Sequence, residues 1–177
     1  MRSVMEVTDV LELRSLLLRH RVEWCVVGGW GVDALLGEQT RPHKDLDVLV
    51  RLDQLRPSLD VLKATGFRHA YAWEENLPLH GPDDLAGLDS AFVMRDDAAR
   101  EVDIHVYDGD GSNVRPLWAS ERLLASSDLS AQGVIGGAPV ACLTPDAQLD
   151  SHRGYELPET HRQDVERLRL LISQRAG

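Results

Sequence analysis

Two short segments in the first third of the chain constrain its fold more than any other feature. The first, residues 24–37, runs from an apolar stretch through Gly28 and Gly29 into a stretch with helical spacing that ends at Gly37. This pattern predicts a short strand, a glycine turn and a helix. Glycine lets the backbone approach a ligand closely, and the N–H groups at the start of a helix attract anions. The turn is therefore suited to hold a phosphate.

The second segment carries two carboxylates on one predicted strand. Asp45 and Asp47 alternate with apolar residues at positions 46, 48 and 50. Residues i and i+2 of a strand share a face, with Cα atoms roughly 6.5 Å apart, so the two carboxylates would project side by side. Mg²⁺ takes oxygen ligands and often sits between carboxylates and substrate phosphates. Two such ions can stabilise the attacking and leaving oxygens of an in-line displacement, which indicates nucleotide chemistry.

A third carboxylate fits the same pattern. Residues 101–107 alternate again, with the apolar residues 102, 104 and 106 on one predicted face and Asp103 and His105 on the other. If this strand lies beside the strand that carries Asp45, Asp103 could complete the metal site or accept the proton of an attacking hydroxyl group. We interpret His105 as a structural neighbour.

These motifs resemble those of a known enzyme family. The sequence Gly-Gly-Trp-Gly-Val-Asp at 28–33, the pattern Arg-x-His-x-Asp-x-Asp at 41–47 and Val-Asp-Ile-His at 102–105 are similar to motifs of small antibiotic nucleotidyltransferases. These are the lincosamide and aminoglycoside 2″-type enzymes of the DNA polymerase beta superfamily. The similarity continues at 142–149 and 152–164, in the manner of the lincosamide group, whereas 53–100 and 108–140 match poorly.

The resemblance implies that the protein transfers a nucleoside monophosphate, usually from ATP, to a hydroxyl group of a drug and releases pyrophosphate. It also implies two Mg²⁺ ions at Asp45 and Asp47, and a third carboxylate at Asp103 that is either a metal ligand or the general base. Gly28 and Gly29 match the turn that holds the triphosphate.

Positive charge near the nucleotide has several candidate sources. Lys44 lies directly before the paired carboxylates, and we predict that it binds the nucleotide. Either Arg162 or His161 could supply charge near the phosphates, and of these two we assign Arg162 to the nucleotide.

The net charge of the chain limits which kinds of molecule the protein is expected to bind. A formal net charge of −10 over 177 residues excludes a protein that binds nucleic acid through its phosphate backbone, because such a protein needs a basic surface. An acidic cleft would instead attract a cationic small molecule, although an acidic surface can also serve solubility alone. The predicted partners are therefore a nucleoside triphosphate and a small-molecule antibiotic.

The two cysteines, Cys25 and Cys142, lie in apolar runs and outside any metal-ligand spacing, so we predict buried, reduced thiols. We find neither a signal peptide nor an apolar run of roughly 20 residues that could cross a bilayer. A cytoplasmic location without membrane contact is the expectation.

The predicted architecture is α/β (of the α+β type), with a twisted mixed sheet, helices packed on it and a small C-terminal helical lobe. We divide the chain into a nucleotidyltransferase domain, 1–143, and this lobe, 144–177. Further predicted elements are helices at 10–19, 53–65 and 157–174, strands at 67–73 and 90–94, a hairpin at 133–143, and a helix start at 144–146. The loop 76–88 is predicted to be irregular and could border the acceptor pocket, and we expect this loop and the lobe around Tyr155 to select the acceptor.

Two alternatives stay open. Residues 29–34 satisfy the pattern Gly-x-Gly-x-x-Ala of a dinucleotide-binding turn, and Asp53 follows about 20 residues later. Against that interpretation, the later elements do not repeat strand–helix–strand units, and the paired carboxylates would have no role. The other alternative is an antitoxin that adenylylates a partner protein. It would share the metal site and need no drug pocket. The acceptor, the base of the nucleotide and the oligomeric state are left open.

Overall fold

The computed structural model describes residues 4–109, 111–119 and 124–175. In chain order the elements are α1 (Val7–Arg19), β1 (Cys25–Val26), α2 (Gly28–Leu36), β2 (Asp45–Arg51), α3 (Leu52–Ala64), β3 (Arg68–Ala72), β4 (Ala91–Arg95), β5 (Glu101–Gly109), β6 (Asn113–Pro116), β7 (Leu124–Ala125), a 3₁₀ turn (Ser126–Leu129), β8 (Ala131–Ile135), β9 (Ala138–Cys142), α4 (Pro145–Asp150) and α5 (Glu159–Arg175).

The strands form one mixed sheet in the order β3-β4-β5-β2-β1-β9-β8, and β6 and β7 extend it from the end of β5. Strands β2 and β5 are parallel, as are β1 and β9, and the remaining neighbours are antiparallel. The predicted α/β architecture with a mixed sheet is confirmed. Because β1 and β2 pair antiparallel, the unit β1–α2–β2 is not the parallel crossover that a dinucleotide-binding fold requires.

One face of the central strands forms the main core. Alternation along β2 and β5 sends six apolar side chains to this face, where each is almost completely buried: Leu46, Val48, Val50, Val102, Ile104 and Val106. Helix α3 packs against both strands, and α1 packs against α3 and β8. Their leucines join the same apolar cluster.

Several predicted boundaries of helices and strands are confirmed, because glycine turns and a capping residue specify them locally. Gly37 ends α2 in the left-handed conformation, with φ of 78°. Gly136 and Gly137 form the two-residue turn between β8 and β9 with positive φ at both positions, as a type I′ hairpin requires. The Thr144 hydroxyl accepts a hydrogen bond from the Ala147 N–H and begins α4.

Other boundaries differ from the prediction. Helix α1 begins at Val7, three residues earlier than expected, because the Glu6 N–H donates to the Asp9 carboxylate, which stabilises an earlier first turn. Strands β6 and β7 were not predicted, since with only four and two residues they are too short for a period to be recognised in the sequence. The loop 76–88 is irregular, as predicted, and is held by Leu79 and Leu85 in the core.

Both cysteines are buried free thiols, as predicted. Burial raises the pKa of Cys25 to about 12 and that of Cys142 to about 11, so neither forms a thiolate near neutral pH. Cys25 lies with Leu49, Leu143 and Ala147 in a second, smaller apolar cluster.

The C-terminal helices α4 and α5 pack against each other and against α2. Leu168 of α5 is fully buried in the main core. The division of the chain at 143/144 stays a prediction. Over the described ranges, no helix is both long and apolar enough to traverse a lipid bilayer.

Candidate active site

The pairing of β2 with β5 gathers the acidic side chains on one face of the sheet. Asp45 pairs with Glu101, Asp47 with Asp103, and Leu49 with His105. Paired residues of parallel strands point to the same face, so these carboxylates lie opposite the apolar core. The condition set for Asp103, that its strand lies beside β2, is met.

Burial and mutual repulsion disfavour the charged form of this group. The pKa of Asp47 is raised well above its ordinary value, first by burial and then by the charges of Asp45 and Asp103. Burial likewise raises the pKa of Asp45 and of Asp103. A bound cation would relieve this repulsion, since carboxylate oxygens are the ligands that Mg²⁺ prefers.

The carboxylates of this site fit a metal ion that is also bound by the phosphates of the substrate. Within the part of the chain that the structure describes, no three His, Cys, Asp or Glu side chains converge as a complete metal site. Mg²⁺ usually binds through one or two carboxylates plus substrate phosphates rather than in an all-protein cage. Asp45 and Asp47, with Asp103 beside them, match that requirement.

The glycine turn lies directly against these carboxylates. Gly28 and Gly29 form the first turn of α2, and Gly28 has φ of +60°. A Cβ atom at Gly28 would lie 2.1 Å from Oδ2 of Asp47, and one at Gly29 would lie 2.4 Å from Nδ1 of His43. A side chain at Gly28 would displace Asp47, and one at Gly29 would displace His43 and Arg41. The first N–H groups of the helix, which have no intrahelical partner, therefore adjoin the predicted metal site.

Arg41 is the cation that packs against the turn. A Cβ atom at Gly29 would lie 2.7 Å from its Nη2, and its charge lowers the pKa of Asp47. The guanidinium donates through Nη2 to Oδ2 of the buried Asp164 on α5, at 2.7 Å. No role for Arg41 was predicted from the sequence. Its place in the motif was the only signal, and its partner lies 123 residues away.

The two predicted nucleotide-binding cations have other partners. Nζ of Lys44 lies 2.7 Å from Glu101 and 3.7 Å from Asp45, so it neutralises one end of the acidic face. Arg162, near the start of α5, contacts Glu159 at 2.6 Å and donates to the Leu157 carbonyl. Their nucleotide-binding roles stay predictions.

A buried polar network supports the turn from behind. Asp33 of α2 accepts from the Thr40 hydroxyl at 2.6 Å and hydrogen-bonds Nε2 of His43. The His43 ring also packs against Trp30, with the centroids 4.6 Å apart. These contacts hold Nδ1 of His43 against Gly29, so His43 positions the turn.

Aromatic side chains surround Asp103. The indole N–H of Trp73 donates to Oδ1 of Asp103 at 2.9 Å, and Nδ1 of His105 lies 3.4 Å from the same oxygen. The His105 ring meets Trp118 edge to face, and its Nε2 lies 3.7 Å from Glu75. His105 is thus a neighbour of the third carboxylate, as interpreted from the sequence.

Comparisons with known proteins identify the family to which the chain belongs. A model of the aminoglycoside-2″-adenylyltransferase family matches residues 9–168. The lincosamide resistance protein of Staphylococcus haemolyticus is 24% identical over 165 residues, which are 92% of this chain and 94% of that protein.

Solved structures show the same fold. The lincosamide antibiotic adenylyltransferase LnuA, with lincomycin bound, superposes with a TM-score of 0.75 at 22% identity and covers 96% of this chain and 99% of its own. ANT(2″)-Ia in complex with adenylyl-2″-tobramycin gives 0.65 at 19% identity, over 96% and 94% of the two chains. The dinucleotide-binding alternative is therefore wrong. The chain is a nucleotidyltransferase that belongs to the aminoglycoside-2″-adenylyltransferase family.

Proposed function

We propose that this enzyme transfers AMP from ATP to a hydroxyl group of a lincosamide or aminoglycoside antibiotic, with Mg²⁺ in the site. The observation that carries the proposal is the juxtaposition of three carboxylates, Asp45, Asp47 and Asp103, with the glycine turn and Arg41. Such a site combines a place for a divalent cation with a place for phosphate oxygens.

The donor would bind between the turn and the acidic face. Its β- and γ-phosphates would accept hydrogen bonds from the first N–H groups of α2, at Gly28 and Gly29, and would approach the guanidinium of Arg41. Asp45 and Asp47 would hold Mg²⁺, with Asp103 beside them. When bound, Mg²⁺ would neutralise phosphate charge and stabilise the attacking and leaving oxygens.

The reaction is an in-line substitution at the α-phosphorus. The oxygen of the acceptor hydroxyl forms a bond to the α-phosphorus while the bond from that atom to the bridging oxygen of the β-phosphate breaks, so pyrophosphate leaves. The hydroxyl proton would pass to Asp103 if that residue is the base, and burial raises its pKa in the required direction. The enzyme contributes mainly positioning and charge neutralisation.

The acceptor class is supported by likeness and by charge. LnuA was solved with lincomycin, and ANT(2″)-Ia with an adenylylated aminoglycoside. Both drug classes carry basic amines. The acidic face and the net charge of −10 would attract such an acceptor.

The test is a mass-spectrometric screen of the purified protein. Mg-ATP and Mg-GTP are each incubated with lincosamides, aminoglycosides and a proteome extract, and Asp45→Asn serves as the control. A drug that gains one AMP with the wild type and none with the variant is the expected result.

Two other results would overturn the proposal. Transfer to a protein, with no drug modified, would favour the antitoxin alternative. Transfer to no acceptor from either nucleotide would contradict the antibiotic assignment while leaving the fold unchanged.

A further inference from the structure

The rings of His152, Tyr155 and His161 lie together beside α5, and none of them belongs to the proposed metal site. The rings of His152 and His161 lie 5.4 Å apart, edge to face, and the ring of Tyr155 lies 5.9 Å from that of His161 in the same arrangement. The Tyr155 hydroxyl contacts Nδ1 of His161 at 2.9 Å. Tyr155 is nevertheless 48% exposed, an unusual position for a large aromatic residue with such contacts.

Hydrogen bonds link this ring cluster to the glycine turn. Nδ1 of His152 lies 2.8 Å from the carbonyl oxygen of Gln148, and Nε2 of Gln148 donates to the Gly28 carbonyl at 3.2 Å. Gln148 is completely buried. The cluster therefore has a defined position relative to the proposed phosphate site.

A second link runs through α5. His161 and Asp164 are three residues apart on this helix and so share a face. Asp164 holds Arg41, whose guanidinium lies against Gly29. Two separate parts of the C-terminal segment thus reach the two glycines.

The charge on His161 suits a binding surface for an uncharged group. Burial is the main cause that lowers the pKa of His161, and the neighbouring His152 lowers it further. The charges of Asp164 and Asp45 raise this pKa, and that of Arg41 lowers it. A neutral imidazole can stack and hydrogen-bond, but it attracts phosphate weakly.

The sheet order separates the two substrates. Asp103 lies on β5, on one side of β2, and it has Trp73 and His105 around it. Because the proposed base must touch the acceptor hydroxyl, the acceptor approaches from that side. On the other side of β2 come β1 and β9, and β9 leads into α4 and the ring cluster. The phosphates occupy the turn between them, so the nucleoside of the donor has the C-terminal side.

We propose that Tyr155 and His161, supported by His152, bind the nucleobase of the donor nucleotide by stacking. This inference rests on the proposed function and adds the subsite that recognises the base. Every nucleobase has an aromatic face, and stacking on a protein ring contributes substantially to nucleotide affinity.

Direct binding separates this subsite from the phosphate site. Two probes are titrated in the presence of Mg²⁺: a non-hydrolysable ATP analogue, which reaches both sites, and inorganic tripolyphosphate, which reaches only the turn and Arg41. The variants are Tyr155→Ala, which removes the ring, and Tyr155→Phe, which removes only the hydroxyl. Leu170→Ala is the control, because Leu170 is also a large exposed side chain, 60% exposed, and lies on α5, the helix that carries His161.

We expect Tyr155→Ala to bind the ATP analogue about tenfold more weakly and to bind tripolyphosphate as the wild type does. Tyr155→Phe and Leu170→Ala should bind both probes normally. Equal affinity of Tyr155→Ala and wild type for the analogue, or an equal loss for both probes, would overturn the inference and leave the proposed function intact. A wild-type protein that binds neither probe would overturn the proposed function and this inference together.

Discussion

The two faces of the β2–β5 pair carry opposite kinds of side chain, aliphatic on one and acidic on the other. On one face, six aliphatic side chains are almost completely buried under α3. On the other face, successive register positions bring Asp45 and Glu101, then Asp47 and Asp103, into neighbouring positions. Because the side chains of a strand alternate strictly, a single pair of strands supplies both the rigid core and the site that the core positions.

Stability and chemistry are therefore divided between the two faces. Burial of the aliphatic face favours folding. The acidic face disfavours it, since burial and like charges raise the pKa of Asp45, Asp47 and Asp103. Substitutions on the two faces should therefore have opposite effects on stability and unequal effects on activity.

Substitution of a carboxylate on the acidic face should reduce enzyme activity more than any other change considered. Asp47→Asn keeps the size of the side chain but removes a proposed Mg²⁺ ligand, and it should lower kcat/KM for AMP transfer by at least about a thousandfold. The measurement is the initial rate of drug adenylylation by mass spectrometry. Asp53→Asn is the control, because Asp53 is exposed and pairs with Arg51 at the far end of β2. Near-normal activity in a folded Asp47→Asn protein would refute the metal site.

The next largest change should be a loss of stability when a residue of the aliphatic face is truncated. Ile104 lies between Asp103 and His105 in β5, and its side chain is completely buried on the aliphatic face. Ile104→Ala should lower the free energy of unfolding by about 2–5 kcal/mol, through lost burial and the cavity that remains. Urea unfolding measures this change, and Val134→Ala, at an exposed strand position, is the control. A loss below about 1 kcal/mol would mean that the aliphatic face does not carry the stability assigned to it.

The contrast between the faces also explains what the sequence could predict. Asp45, Asp47 and Asp103 lie on strands with strict alternation, so their shared face followed from local pattern alone. The neighbouring position of β5 is a property of the sheet order, and no local pattern specifies it. Arg41 was missed because its partner, Asp164, is distant in the chain. The contacts among the rings of His152, Tyr155 and His161 were not predicted, because they join a loop to α5 and no local pattern specifies them.

A smaller effect is expected on ATP binding, and it depends on which cation contacts the phosphates. Arg41→Gln should raise KM for ATP by about 10- to 30-fold, because a charge-assisted contact to phosphate is lost. Arg162→Gln is the matched variant, since the sequence assigned the nucleotide to Arg162, whereas in the structure Arg162 contacts Glu159. Steady-state rates at varied ATP measure both changes. A large effect for Arg162→Gln with none for Arg41→Gln would reverse the assignment.

The smallest effect is a gain in stability from removing charge on the acidic face. The raised pKa of Asp47 means that folding favours its protonated form. Its contribution to stability is complete below the unfolded pKa, about 4, and is lost as the pH rises through the folded pKa. Near neutral pH, Asp47→Asn should therefore have a higher urea midpoint of unfolding than the wild type in metal-free buffer. The difference should shrink toward pH 4, and saturating Mg²⁺ should reduce it by stabilising only the wild type. A variant that is less stable than the wild type at every pH would show that Asp47 contributes to folding as well as to the chemistry, and the division between the two faces would fail.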